Sequence, residues 1–229
     1  MNCQNCQTDL QQSAHFCPQC GQSSASLNRP LIPVGKDMLH ELLDIDGRLW
    51  LTLRVMLSKP GKLTQEFNQG KRVKYTPPLR LYLVISILFF IIFSSIYKVY
   101  DPTLALTESM SSYYSKAMFI LFPVFALIVQ LFFRQSFFIG NLVLSMHLHI
   151  IIYVILMVIA PLEALEKTHI VFLLLQVPPS LYLGWYLFTA FKTVYQQSWW
   201  VTIWKVSVIY MIYFSILGVV FDVVMANFL

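Results

Sequence analysis

The sequence predicts an all-α integral membrane protein with about five transmembrane helices, preceded by a small module that contains four cysteines. The chain is 57% hydrophobic and only 12% charged, whereas about 25% of the residues in soluble globular domains are charged. The first 78 residues hold nine of the sixteen Lys and Arg residues, and the remaining two thirds are almost continuously apolar. All four cysteines lie within the first twenty residues. The chain therefore divides into a polar N-terminal arm and a membrane body.

Five segments of the membrane body are apolar over about the 20 residues that a spanning helix needs. They are residues 79–97, 117–133, 138–160, 169–191 and 201–227. Pro77 and Pro78 favour a helix start at the first span, because proline lacks the N–H group that the first turn leaves unbonded. Pro178 and Pro179 are expected to break the fourth span near its middle, and the second span is short. The predicted number of spans is therefore five, to within one.

The basic residues predict the orientation of these spans, because short cytosolic loops are enriched in Lys and Arg. With the N-terminus inside, thirteen of the sixteen Lys and Arg residues lie on the cytosolic side. The outer side holds only Lys98, Lys116 and Lys167. We therefore expect a multi-pass protein with a cytosolic N-terminus and, for five spans, an external C-terminus.

The four cysteines follow the pattern Cys3-x2-Cys6-x10-Cys17-x2-Cys20, which is typical of a zinc ribbon formed by residues 1–22. Two CxxC turns can place four thiolates in a tetrahedron around one Zn²⁺ ion, and a site with four protein ligands is structural rather than catalytic. Two disulfides are the alternative. Because disulfides rarely persist in the reducing cytosol, the expected orientation favours zinc.

The ribbon is expected to bind a protein partner or another part of its own chain. Residues 1–22 contain no Lys or Arg, and neutralisation of phosphates supplies much of the affinity of proteins for nucleic acids. The sequence therefore argues against nucleic-acid binding by this module. His15 could replace one thiolate ligand, although a position on the surface is the simpler interpretation.

Two segments of different composition lie between the ribbon and the bundle. Residues 23–35 contain many Ser, Pro and Gly residues and are interpreted as a linker. Residues 36–78 are expected to form amphipathic helices that lie in the cytosolic interface or against the bundle, together with a basic segment. Pro60 and Gly61 predict a turn, and Gly70 is expected to cap the short helix that follows this turn. The transmembrane bundle occupies residues 79–229.

The basic segment contains a first candidate binding site. Turns rich in Pro and Gly surround it and would hold its side chains in a fixed geometry. They could then bind an anionic lipid headgroup at the cytosolic face, or an acidic partner. The alternative is that the basic residues only fix orientation and lie among anionic headgroups. The candidate residues are Glu66, Lys71, Arg72, Lys74, Tyr75 and Arg80, and Glu66 is expected to pair with Arg72 or Lys74.

Residues 59–83, KPGKLTQEFNQGKRVKYTPPLRLYL, resemble the characteristic stretch of a bacterial membrane-protein family known only as a domain of unknown function. Members of that family also begin with a CxxC…CPxCGQ ribbon, and the resemblance covers about residues 1–95. It implies a ribbon joined to a PG…EF..GKR..Y.PP juxtamembrane motif and a location in the bacterial inner membrane. It implies no activity.

A second candidate site lies within the predicted spans, where ionisable residues usually face the bundle interior. It comprises His147, His149, Gln176, Pro178 and Pro179. The two histidines are about 200° apart around a helix, so they cannot bind one metal ion together from that helix. The prolines would free backbone carbonyls of the kind that transporters use to bind substrates. The alternative is a neutral histidine hydrogen-bonded across the bundle, with a simple kink in the fourth span.

These patterns favour a non-enzymatic adaptor or sensor whose cytosolic zinc ribbon interacts with a protein partner. The alternative is a transporter or lipid-handling protein with a pathway near His147 and the Pro178-Pro179 pair. A water-filled or lipid-accessible cavity that reaches mid-depth would favour this alternative, and a solid bundle would favour the adaptor. The sequence contains no Gly-rich phosphate loop, no nucleophile elbow and no complete HExxH motif. We therefore do not expect an enzyme, and one that acts on a lipid phosphate is the third interpretation.

Overall fold

The computed structural model describes residues 2–11, 14–23, 48–100, 108–166 and 169–226. Apart from two isolated bridges in the N-terminal module, the regular structure in these ranges is helical: α1 (Leu49–Ser58), α2 (Lys62–Asn68), α3 (Pro78–Tyr100), α4 (Glu108–Phe132), α5 (Phe138–Glu166), α6 (Ile170–Tyr195) and α7 (Trp199–Ala226). The predicted helical body is therefore confirmed for this part of the chain. Residues 24–47, which include most of the predicted linker and the first predicted amphipathic segment, lie outside the described residues.

Four of these helices are long and apolar enough to cross a membrane. Their apolar spans are Pro78–Ile96, Phe138–Glu166, Ile170–Tyr195 and Trp199–Val220. The second predicted span, residues 117–133, coincides with the end of α4, where the described apolar part is the shorter stretch Phe119–Phe132. Four of the five predicted spans thus correspond to helices of sufficient length, and the class of helical membrane protein is supported.

The expected break in the fourth span is wrong. Helix α6 continues through Pro178 and Pro179 without interruption. Each proline removes one N–H group, but the hydrogen bonds on both sides maintain the helix, and prolines are tolerated in this way in transmembrane helices. Pro178 also lies on the exposed surface of the bundle. The Ser180 hydroxyl donates to the Gln176 carbonyl in the same turns of the helix (2.7 Å).

Helix α5 lies at the centre of the bundle. It contacts α1, α2, α3, α4 and α6, while α7 packs against α4 and α6. Nearly every residue from Ile139 to Ile151 is buried, because this helix is apolar on all sides and its neighbours surround it. Helix α6 has the opposite character, with many exposed apolar side chains, among them Leu174, Leu181 and Trp185. The centre of α5 is therefore the position at which polar side chains need partners.

Residues 48–77, called the platform below, contain α1, a tight turn, α2 and a basic loop of residues 69–77. The turn is the predicted Pro-Gly turn, and Gly61 adopts a φ of +76° in it. Gly61 also lies directly against α6, because a Cβ built on it would be 2.6 Å from the Ala190 carbonyl oxygen. The glycine therefore serves both the turn and the close approach of two backbones.

Helix α1 and the residue that precedes it hold the basic loop through two hydrogen bonds. The backbone N–H of Thr76 donates to Thr52 Oγ1 (2.9 Å), and the Arg48 guanidinium donates to the Val73 carbonyl. Both threonines are buried. The loop is thus fixed from the side of α1 as well as by its own turns.

The platform packs against the side of the bundle. The Tyr182 hydroxyl of α6 donates to the Leu57 carbonyl of α1. Tyr182 precedes the last residue of α6, Tyr195, by thirteen positions, or about 20 Å along the helix axis. Contact with the bundle is one of the two placements that the sequence predicted for α1.

Candidate functional site

The two CxxC segments of the N-terminal module fold in the same way. In the first, the N–H of Cys3 donates to the Thr8 carbonyl and the N–H of Gln7 donates to the Cys3 carbonyl, both at 2.9 Å. In the second, the N–H of Cys17 donates to the Gln22 carbonyl (2.8 Å), and the N–H of Gly21 donates to the Cys17 carbonyl (2.9 Å). The residue after each second cysteine has a positive φ, +64° at Gln7 and +70° at Gly21.

The four sulfur atoms form a compact cluster. All four Sγ atoms lie within 4.8 Å of one another, with Cys3 and Cys20 at 3.6 Å and Cys6 and Cys17 at 3.5 Å. A tetrahedral ion with metal–sulfur bonds of about 2.3 Å has sulfur–sulfur edges of about 3.8 Å. These separations exceed the length of a disulfide bond, which is about 2.05 Å, and the cysteines are free thiols. The cluster therefore fits one metal ion with four protein ligands.

The surroundings of the sulfurs favour the thiolate form at one position. The Cys6 sulfur is 3.2 Å from the Thr8 hydroxyl, and this hydrogen bond lowers the pKa of Cys6 to about 6. Burial raises the pKa of Cys20 to about 11. A bound cation would stabilise all four thiolates. His15 is exposed and is not one of the clustered donors, which agrees with its interpretation as a surface residue.

The module is docked on the platform. The Gln22 side chain accepts a hydrogen bond from the backbone N–H of Arg72 (3.2 Å) and donates to the Gly70 carbonyl. Gln22 is only 5% exposed. On the other side of the same glycine, a Cβ built on Gly70 would overlap the Gln4 side chain. Gly70 thus lies in the notch between the two CxxC turns.

Gly70 also ends α2, as the sequence predicted. It has a φ of +88°, and its N–H donates to the Phe67 carbonyl (3.0 Å), while the N–H of Lys71 donates to the Glu66 carbonyl (2.9 Å). This pair of bonds is the Schellman motif, in which a glycine in the left-handed conformation terminates a helix. Gln4 and Gln22, which contact this cap, were not selected from the sequence. Gln22 is the last residue of the CPxCGQ motif, and this position directly after Gly21 is the feature by which the sequence could have identified it.

The predicted basic site is only partly assembled. The Glu66 carboxylate lies 4.0 Å from Lys74 Nζ and 3.7 Å from Lys62 Nζ. Of its two expected partners, Arg72 and Lys74, the structure thus pairs it with Lys74. A hydrogen bond with Tyr75 raises the pKa of Lys74, and burial raises the pKa of Tyr75. The Arg72 guanidinium instead lies over the Phe67 ring, 5.8 Å from its centroid.

A narrow cleft joins this region to the bundle. Its lining includes Lys71, Arg72, Tyr75 and His147, whereas Arg80 lies in the first turn of α3 and does not line it. The cleft holds about 10 Å³ of free space, about enough for one water molecule. An anionic group could therefore contact the rim of this cleft and could not enter it without movement of the side chains.

The predicted intramembrane site is divided among three places. His147 Nδ1 is hydrogen-bonded to Thr64 Oγ1 of α2 (2.8 Å). His149 is hydrogen-bonded through Nε2 to the Tyr213 hydroxyl of α7 and through Nδ1 to the Ser145 carbonyl, both at 2.8 Å. Each histidine thus has a bond to another helix, which is the arrangement that the sequence gave as the alternative to a polar site.

Gln176 and the two prolines lie elsewhere. The Gln176 side chain donates to Glu166 at the end of α5 (3.1 Å), and Pro178 is exposed on the outer surface of α6. A second cavity at His147, lined also by Met56 and Tyr186, again holds about 10 Å³. Neither of these two cavities is lined by Gln176, Pro178 or Pro179.

Comparison with known proteins identifies one part of the chain. A family model described as a protein of unknown function (DUF3667) matches residues 46–90, about a fifth of the sequence. These residues contain α1, α2, the basic loop and the first half of α3, so the match covers the PG…EF..GKR..Y.PP part of the resemblance and not the ribbon. Neither the curated proteins nor the solved structures give a match. The described residues thus define a helical membrane protein with four clustered cysteines that could hold a metal ion, and residues 46–90 are similar to this family of unknown function.

Proposed function

We propose that this protein is a non-enzymatic adaptor or sensor of the bacterial inner membrane, in which a cytosolic zinc ribbon binds a protein partner. The observation that supports it is the contact of Gln22 with Gly70 and Arg72, because it connects the ribbon to the membrane body. Four thiolates are ligands that zinc prefers. The ion would be structural, holding the two CxxC turns together.

The ribbon also offers a surface to a partner. Phe16 is 65% exposed, next to the exposed His15, and residues 1–22 carry no Lys or Arg. A protein partner with an apolar pocket fits this face better than a nucleic acid does. The rim residues Lys71 and Arg72 would contact anionic lipid headgroups at the same membrane face, while Tyr75 is buried and Lys74 and Glu66 form an ion pair beside them.

Photo-crosslinking in native membranes tests the adaptor. A photoreactive phenylalanine analogue at position 16 is expected to give a discrete protein adduct, because this side chain faces outward. The same analogue at position 67 is the control and is expected to crosslink within the chain, because Phe67 is buried against Ile139 and Val143 of α5. Adducts only to lipid or within the chain at both positions would contradict a protein partner bound through this face.

Topology reporters test the orientation. With five spans and thirteen Lys and Arg residues on the inner side, a reporter that is active in the cytosol should work when fused to the N-terminus, and one that is active outside should work at the C-terminus. Activity of the same reporter at both ends would show an even number of spans, and α4, with its shorter apolar part, would then be the helix that does not cross.

A further inference from the structure

We propose that the ribbon is a metal-operated latch, in which metal binding by the four cysteines holds Gln22 on Gly70 and Arg72 and thereby orders the C-terminal end of α2 and the basic loop. This inference rests on the metal-binding ribbon of the proposed function and adds a consequence within the same chain. It requires no external partner.

The position of Gln22 depends on the second CxxC turn. Its carbonyl accepts the hydrogen bond of Cys17 N–H (2.8 Å), and it follows Cys20 by only two residues. Among the described residues, the apolar core of the ribbon consists of Leu10 and the cysteines. So small a core cannot stabilise a fold by itself, and in small modules of this kind metal binding supplies the folding free energy. Without the ion, nothing fixes the direction of the Gln22 side chain.

The contact made by Gln22 is costly to lose. Its amide bonds one acceptor and one donor of the platform backbone, the Gly70 carbonyl and the Arg72 N–H, in a region that the ribbon shields from solvent. When the ribbon stays docked without this side chain, as in Gln22→Ala, the two backbone groups stay buried without a partner and destabilise the surrounding structure. When the ribbon undocks, water takes the place of the amide and the contact that orders these residues is lost. Because Gly70 forms the cap of α2 and Arg72 belongs to the basic loop, both elements are affected together.

Charge acts in the same direction. A Zn²⁺ ion with four thiolates has a net charge of about −2, and the ribbon adds Asp9 without any Lys or Arg. The basic loop beside it carries Lys71, Arg72 and Lys74. The charge of the loaded ribbon is therefore opposite to the charge of the loop on which it is docked.

Helix α2 can transmit the change to the bundle. It has only seven residues, too few for a helix that is stable without tertiary contacts. It is held on α5 by the hydrogen bond between Thr64 and His147 (2.8 Å) and by Phe67, which packs against Ile139 and Val143, while the docked ribbon contacts its C-terminal cap. Release of the latch leaves the attachments to α5 and removes the contact at the cap.

Hydrogen exchange on the full-length protein in nanodiscs tests the latch, with zinc content measured in each sample. Removal of zinc by a chelator is expected to accelerate amide exchange in residues 69–75 by about tenfold or more, with α5 unchanged. Gln22→Ala should produce the same acceleration while it retains the metal, because its side chain is not a ligand. Gln19→Ala, which changes an exposed glutamine of the same turn, is the matched control and should leave exchange unchanged.

Two outcomes would overturn the latch, and a third would overturn its premise. If the zinc-loaded and chelated proteins exchange residues 69–75 at the same rate, the ribbon binds metal but does not operate the loop. If Gln22→Ala exchanges like Gln19→Ala while both retain zinc, the contact does not order the loop. A protein that contains no metal and takes up none on reconstitution removes the zinc ribbon of the proposed function itself.

Discussion

Gly61→Ala is expected to destabilise the protein by roughly 2–5 kcal/mol, because two separate costs coincide at this position. Gly61 has a φ of +76°, which is unfavourable for any residue with a side chain. Its Cβ would also lie 2.6 Å from the carbonyl oxygen and 3.0 Å from the Cα of Ala190. Both atoms belong to a backbone, so no rotation of a side chain can relieve the overlap. Thermal unfolding of the purified protein in detergent would measure the loss as a lower Tm.

Gly184→Ala is the matched control for this substitution. Gly184 lies within α6, like Ala190, but a Cβ built on it meets no described atom within 4 Å. Alanine is also the better helix former by about 1 kcal/mol, so this variant should be as stable as the original protein or slightly more stable. Equal Tm values for Gly61→Ala and Gly184→Ala would show that the platform does not pack against α6 in the way described here.

The second large effect concerns the metal. Protein purified under reducing conditions should contain about one zinc ion per chain, and Cys17→Ser should remove it. Cys17 is almost completely buried in the ribbon, and the binding free energy of a structural zinc ion is about 10–16 kcal/mol in small modules. We therefore expect the variant to lose both the zinc, by elemental analysis, and the protease resistance of residues 1–23.

His15→Ala is the control for the ligand set. The exposed His15 is not among the clustered donors, so this variant should retain the zinc of the original protein. Loss of zinc from His15→Ala would show that His15 is a ligand in place of one of the cysteines. Absence of zinc from the original protein, with its four thiols blocked as disulfides, would show that the cysteines are covalently paired.

Features that depend on short stretches of sequence could be predicted. The apolar spans follow from local hydropathy, and the cysteine cluster follows from the spacing of two CxxC turns. Gly61 and Gly70 were expected at a turn and a helix cap, and both have the positive φ that these positions require. In each case the property lies within a few residues of the chain, where backbone geometry and hydrogen bonding act directly.

Contacts between distant residues could not be predicted in this way. Thr64 and His147 are 83 positions apart, and Gln22 and Gly70 are 48 apart. Nothing in the local pattern of either partner specifies the other, because their pairing depends on how whole helices pack. The prediction of a break at Pro178 and Pro179 was wrong for a related reason. Two prolines weaken a helix locally, but whether it breaks depends on the hydrogen bonds that remain on both sides and on the surroundings.

The packing of the platform on α5 and α6 has a consequence for biogenesis. The ribosome synthesises residues 48–77 before Phe138–Glu166 and Ile170–Tyr195, yet the platform contacts both of these helices. Its buried side chains, such as Met56, Leu63 and Phe67, have no place to pack until those helices have been inserted. The ribbon requires no later part of the chain for its own cluster, since its four cysteines lie within the first twenty residues. The platform is thus translated early and completed late, after most of the bundle has entered the membrane.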